Sequence, residues 1–415
     1  MTTDLLFHHI DELLTGGDQG VLYDASVAFA GGRVRWVGPS ASAPVARQIV
    51  DCHGLVGLPG LVDCHTHALF AGSRAEEFQR RLAGASYTEI LEAGGGILST
   101  VKATRAADLE RLRSLLHRRL EAMLAVGVTS VEVKTGYGLN PATEQRMLEA
   151  MISTGSPVEV LPTFLGAHAV PAEYRGRRED YVEQVIRQQL PRCAPLARFV
   201  DVYCDRGAFT LDEARAILEA GVAHGLIPRI HAEQVAHTGA AAMAAGLGAT
   251  SADHLEQLDD AGVAAMARHG TVAVLLPGAM LYLKDPPPPV AALRAAGVPM
   301  AVSTDFNPGS SPVRDLWTCA TLACLRMGLR VDEALLGITR NAGRALGRDD
   351  LGWIGPGSSA DLVLLAPPPG EPAELAVLVQ YLGGHRAHHL VKAGRWLIRD
   401  GVRQDALAAG AGGGE

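Results

Sequence analysis

The segment Leu61-Val62-Asp63-Cys64-His65-Thr66-His67 ends an apolar run with two histidines spaced i, i+2. Alternate residues of a strand share a face, so both imidazoles can address one metal ion. Three later positions complete a donor set, each closing a short strand-like stretch: His231 after 226–230, His254 after 250–253 and Asp305 after 300–304. His65, His67, His231 and Asp305 supply three neutral nitrogens and one carboxylate, a set suited to one Zn²⁺ or Fe²⁺ with room left for water. An ion so held lowers the pKa of its water, and the chemistry expected is hydrolysis. Asp305, placed to touch both ion and water, is assigned a second role as general base. His254 is left free to orient the water or polarise a carbonyl.

Residues this far apart meet only if the fold brings several strand ends to one rim. Strand candidates at 60–65, 128–134, 158–166, 199–204, 227–231, 249–253, 271–276 and 299–304 alternate with helical stretches such as 107–125, 142–153, 179–190, 211–223, 235–246 and 258–268. Eight strands alternating with helices predict an α/β fold, a (β/α)8 TIM-like barrel over residues 58–355, with its chemistry at the strand ends. Residues 1–57 and 356–415 instead show short alternating pieces between Gly-rich turns, such as Ala25–Phe29 and Arg33–Val37 around Ala30-Gly31-Gly32. Neither end holds enough strands to close a sheet alone. The two ends are therefore expected to pair as one small β-sandwich domain, with the Gly-rich tail from Ala408 to Glu415 disordered.

Composition excludes several classes. Against 45 Asp+Glu stand 37 Lys+Arg, a net charge of -8 with no basic block to follow a phosphate backbone, so nucleic acid is not an expected partner. No stretch approaches the roughly 20 uninterrupted apolar residues of a spanning helix. The start, Met1-Thr2-Thr3-Asp4, carries no basic segment followed by an apolar run, and a cytoplasmic location is expected. Six cysteines, at 52, 64, 193, 204, 319 and 324, form no CxxC pair and read as reduced thiols. A homodimer is common for barrels of this type and is expected here.

The rim segments carry a resemblance. Val62-Asp63-Cys64-His65-Thr66-His67 continuing through Phe70-Ala71-Gly72-Ser73-Arg74, then Gly94-Gly95-Gly96-Ile97, Lys134-Thr135-Gly136-Tyr137-Gly138, Thr163-Phe164-Leu165-Gly166-Ala167-His168, His231-Ala232-Glu233-Gln234, Ser251-Ala252-Asp253-His254 and Ser303-Thr304-Asp305-Phe306-Asn307-Pro308-Gly309-Ser310 together resemble the amidohydrolase superfamily. They span almost the whole barrel. The HxH element alone says no more than the superfamily; FAGSR, KTGYG and STDFNPGSS are similar to one branch of it. That branch opens the cyclic amide of 4-imidazolone-5-propanoate to N-formimidoyl-L-glutamate, a step of histidine degradation. Many superfamily members bridge two metals through a carboxylated lysine or a carboxylate at the end of strand four. Here strand four ends in Val200-Asp201-Val202-Tyr203-Cys204 without a lysine, which favours one metal per chain.

The resemblance also implies a substrate site. Arg74, on the first βα-loop, is the natural bidentate partner for the propanoate. Tyr137 and His168 add hydrogen bonds to that end or to the ring. Gln234 lies within reach of a ring nitrogen, although spacing does not separate it from Glu233. Asn307, Gly309 and Ser310 are implied contacts to the ring and the new carboxylate. Two departures from the pattern, Tyr381-Leu382-Gly383-Gly384-His385-Arg386 and Gly343 in place of a common alanine, lie away from the ligands.

Blander readings weigh against some of these residues. An isolated arginine is more often a surface ion-pair partner, and Tyr137 between two glycines could simply cap a turn. Gly94-Gly95-Gly96 is equally a lid hinge or a plain loop. His8, His9, His385, His388 and His389 fall in the β-domain and are expected to be solvated, and Lys134 is expected to support Tyr137. Two rival functions remain: a cyclic-amidine deaminase or other lactam hydrolase, which would have no use for Arg74 and Tyr137, and a non-catalytic barrel, which would have lost a ligand.

Overall fold

The computed structural model describes residues 3–84, 89 and 95–404, so Gly94 and the tail from Ala408 lie outside the described residues. The chain opens with β1 (Thr3–Leu14), β2 (Val21–Ala30), β3 (Arg33–Pro39), β4 (Ala46–Asp51) and β5 (Val56–Pro59). The β2–β3 hairpin turns at Gly31 and Gly32, both with positive φ (60° and 72°), as a tight turn requires. Eight parallel strands follow, each separated from the next by helix or loop: β6 (Leu61–Asp63), β7 (Val128–Lys134), β8 (Glu159–Ala167), β9 (Phe199–Cys204), β10 (Ile227–Ala232), β11 (Ser251–His254), β12 (Val272–Leu275) and β13 (Met300–Val302). The chain ends with β14 (Leu362–Leu365), β15 (Ala387–Lys392), β16 (Arg395–Arg399) and β17 (Val402–Arg403).

β6 to β13 form the barrel in sequence order. Beyond its first and last strands the ring is closed by Thr66 bridging Phe306, by the His67 N–H on the Phe306 carbonyl and by the Asp305 N–H on the His65 carbonyl, both at 3.0 Å. The seam that closes the barrel is therefore the segment that carries three of the expected ligands. Helices are started by side chains that accept their free N–H groups. Asp108 caps Leu109–Leu124 and Asn140, followed by Pro141, caps Pro141–Ile152. Thr210 and Glu213 form a reciprocal capping box on Leu211–Ala223.

The helix expected over 235–246 begins only at Ala240. Residues 234–236 instead loop over Asp205, whose carboxylate accepts their backbone N–H groups at 2.7, 2.8 and 3.0 Å, and Gly239, in the left-handed region at φ 76°, directly precedes the helix.

The two chain ends meet where β5 pairs antiparallel with β14, which makes one nine-stranded sheet. Phe7 on β1 sits 5.3 Å from Trp396 on β16, four places away in strand order. A flat sheet would separate them by about 19 Å at ~4.8 Å per strand. The sheet thus folds over its own apolar face, enclosing Phe7, Phe29, Leu362 and Val391 among others. Two histidines expected to be solvated are buried instead. His389 is buried between Phe7 and Trp396, and His385 stacks on Trp317 at 4.8 Å while donating to the Leu378 carbonyl. Lys392 ties the sheet to the barrel through Glu159 at 2.8 Å and Ser130 at 3.0 Å. Gly343 is explained by crowding: a methyl there would lie 2.8 Å from the Leu351 carbonyl. Among the described residues no helix is long and apolar enough to cross a membrane.

Candidate active site

Four donor atoms converge at the barrel mouth. His67 Nε2 lies 3.3 Å from His231 Nε2, and Asp305 Oδ1 lies 3.5 Å from both His65 Nε2 and His67 Nε2. Donors placed tetrahedrally about zinc at ~2.0–2.1 Å stand about 3.3–3.4 Å apart, and these separations agree. Buried His65 Nε2 and Asp305 Oδ1 have no hydrogen-bond partner, a loss that a shared cation would offset. His254 faces the same point, forming with His65 and His231 a second trio whose ligand atoms all lie within 4.8 Å of one another. The donor set fits a divalent ion.

Two of the imidazoles are prepared for that role by their other nitrogens. His65 Nδ1 is held by Asp253 at 2.6 Å and His231 Nδ1 by Asp201 at 3.0 Å. A carboxylate accepts from Nδ1–H, which leaves the Nε2 lone pair aimed at the centre. Burial holds His65 and His67 well below the usual imidazole range, so both are neutral. Burial pushes the Asp305 carboxyl well up, so its ionised form depends on a neighbouring cation.

Behind these carboxylates runs an ionic array that lies outside the site expected from sequence. Lys134 Nζ bonds Glu132 at 2.9 Å and Asp201 at 2.8 Å, and Arg229 bonds Asp253 at 3.1 Å and the Cys64 carbonyl at 2.7 Å. All five side chains have 0% exposure. Lys134 therefore supports His231 through Asp201, and the expected pairing with Tyr137 is not found. Burial opposes both charges, yet Asp201 and Glu132 raise Lys134, while His231 and Lys134 hold Asp201 well below the carboxylate range. One signal in the sequence marks the array: each member is a charged residue inside a strand of the barrel, where a charge is buried only with a partner.

The expected substrate residues ring the same mouth. Tyr137 is buried with its ring 6.0 Å from His67. His168 stacks on His67 at 4.9 Å and 18°, and its Nδ1 donates to the Gly136 carbonyl at 3.0 Å, leaving Nε2 an acceptor. Burial, followed by neighbouring His231, pushes His168 down to about 3. Gln234 and Glu233, which spacing left equivalent, separate cleanly. Gln234 Oε1 accepts from the hydroxyl of Tyr203 at 3.1 Å, whereas Glu233 turns to His237 at 3.7 Å. Tyr203, whose ring lies 5.8 Å from that of His231, is thus a rim residue not expected from sequence, as is Asp205 beneath Gln234.

Arg74 does not present a free fork. Its Nε and Nη2 bond Glu77 at 2.7 and 2.5 Å, and Glu77 also accepts the Gly96 N–H at 2.9 Å. The end-on edge, Nη1 with Nη2, is the one left to meet a carboxylate. Gly309 lies against that edge, and a methyl there would overlap Nη1. Gly309→Ala is expected to raise KM for a carboxylate-bearing substrate about tenfold, roughly 1.4 kcal/mol, with kcat little changed; steady-state kinetics check this. Asn307 organises the loop, donating to Asp305 Oδ2 at 3.1 Å and to the Ser310 hydroxyl at 2.9 Å.

A model of the amidohydrolase family matches residues 79–397. The chain is 48% identical over 389 residues to an imidazolonepropionase of Polaromonas sp., covering 92% of this chain and 90% of that protein. It is 50% identical over 383 residues to the imidazolonepropionase of Paracidovorax citrulli, covering 90% and 91%. In fold it is similar to a zinc-bound adenosine deaminase from Xanthomonas campestris, with a TM-score of 0.73, 20% identity and coverage of 98% and 96%. It is also similar to a zinc-complexed atrazine chlorohydrolase from Arthrobacter aurescens, with a TM-score of 0.70, 18% identity and coverage of 97% of each.

Proposed function

This chain belongs to the imidazolonepropionase family of amidohydrolases, and from that premise we propose that it hydrolyses 4-imidazolone-5-propanoate to N-formimidoyl-L-glutamate at the cluster of His65, His67, His231 and Asp305. The observation that carries the reading is the convergence of those four donors beside an arginine whose end-on edge faces the same loop as Asp305. One divalent ion, zinc or iron, is proposed as their occupant. When bound it supplies a Lewis acid and lowers the pKa of a coordinated water.

The residues divide the remaining work. Asp305 takes the proton of the attacking water, and the amide C–N bond breaks as that proton passes to the leaving ring nitrogen. His254 stabilises charge on the carbonyl oxygen as the carbon becomes tetrahedral. Arg74 anchors the propanoate end-on, with Tyr137 and His168 orienting that end and the ring. Gln234, its oxygen engaged by Tyr203, turns its amide N–H₂ toward an acceptor of the ring. Asn307, Gly309 and Ser310 are proposed to receive the carboxylate formed on ring opening. Six free cysteines fit a reducing compartment, and cytoplasmic residence is part of the proposal.

The test is incubation with freshly generated 4-imidazolone-5-propanoate, with and without a strong chelator, following loss of ultraviolet absorbance while mass spectrometry looks for N-formimidoyl-L-glutamate. Chelator-sensitive formation of that product is expected. Absence of product from metal-loaded protein would redirect the search to other cyclic amides and amidines.

A further inference from the structure

Glu256 lies two residues beyond His254 and is placed to act on it. Its side chain has 0% exposure, and neither carboxyl oxygen has a hydrogen-bond partner. His254 Nδ1 is likewise buried and unpartnered, and it stands 4.0 Å from Glu256 Oε2. A buried polar group without a partner is destabilising, so two of them side by side call for a reason.

The backbone between them carries a further cost. His254 and Leu255 are consecutive non-glycine residues with φ of 81° and 76°, a region that residues with a Cβ avoid. The reversal is held by the Leu255 N–H on the Ala232 carbonyl at 3.1 Å and the Gln257 N–H on the Glu233 carbonyl at 2.7 Å. These bonds turn the chain so that Glu256 comes back toward the imidazole. Strain of this kind persists where the surroundings impose it, and it collects at functional sites.

We propose that Glu256 is a positioning residue for His254, with one proton bridging its carboxyl group and His254 Nδ1. The carboxyl group donates that proton to Nδ1, which fixes the ring in its Nε2–H tautomer, so that Nε2–H is the donor presented to the reacting carbonyl. Closing from 4.0 Å to hydrogen-bond length requires a movement of about 1 Å, within what catalytic pairs make on binding substrate. The inference rests on the reading of His254 given under the proposed function, and it extends the catalytic set to a residue outside the motifs quoted from sequence.

The metal-loaded Glu256→Leu and Glu256→Gln variants test it against the unmodified enzyme. Glu256→Leu is expected to lower kcat about 10- to 100-fold with KM and metal content unchanged. Glu256→Gln, whose amide can donate or accept at the same place, is expected to recover most of the loss. Nitrogen-15 spectra of histidine-labelled protein are expected to show a single His254 tautomer in the unmodified enzyme and in Glu256→Gln, and a mixture in Glu256→Leu. An unchanged tautomer and normal kcat in folded Glu256→Leu would overturn the proposal, as would equal damage in both variants. Should the unmodified enzyme fail to open the imidazolone ring, the assigned substrate falls, while the tautomer comparison still decides the part played by Glu256.

Discussion

Asp305→Asn is expected to lower kcat by about 10²- to 10⁴-fold, the range that a positioned general base contributes, while most of the metal is retained. The geometry separates the two duties of this side chain. Oδ1 points between His65 and His67 at 3.5 Å from each, and Oδ2 accepts from Asn307 at 3.1 Å. An asparagine that keeps its oxygen toward the histidines can still coordinate weakly, with His65, His67 and His231 unchanged. Its NH₂ would then face the NH₂ of Asn307, so the loop must adjust, and no basic oxygen is left for the water's proton. Metal content per chain and kcat measured on the same preparation check this. Near-normal turnover in a metal-replete variant would remove the general-base role.

The residues proposed as ligands stand out in the sequence because they fall at or just beyond the ends of apolar runs, and a strand pattern states which residues reach the rim. The barrel strands fall close to their expected limits for the same reason. The electrostatic support was not read, because Glu132, Lys134, Asp201, Arg229 and Asp253 acquire meaning only through partners on other strands. Lys134 and Asp201 are 67 residues apart and 2.8 Å distant. The helix start expected at 235 moves to Ala240, because residues 234–236 loop over Asp205 from another element and Gly239 takes a left-handed φ of 76° just before the helix. The burial of His389 comes from the folding of the sheet over itself and that of His385 from its stack on Trp317, a helical residue distant in sequence, and local alternation expresses neither.

Lys134→Met is expected to damage stability and metal affinity together. Its ammonium is the cation between Glu132 and Asp201, both wholly buried, and removing it leaves two carboxylates without their counter-charge. Breaking a buried pair by deleting one partner costs about 3–5 kcal/mol, which urea unfolding of the metal-free protein would register. Asp201 would also change its relation to His231, whose Nδ1 it holds at 3.0 Å, and a drop of about 10- to 100-fold in metal affinity is expected from chelator competition. The double variant Lys134→Met/Asp201→Asn distinguishes these two effects. Removing the second charge relieves the orphaned carboxylate, so stability should recover in part, and the cycle should show clear coupling. Metal affinity should stay low, because an asparagine cannot hold His231 as a carboxylate does. Parallel recovery of both quantities would mean that the array serves folding alone; an affinity loss in the double variant no greater than in Asp201→Asn alone would place Lys134 behind Asp201 in the support of His231.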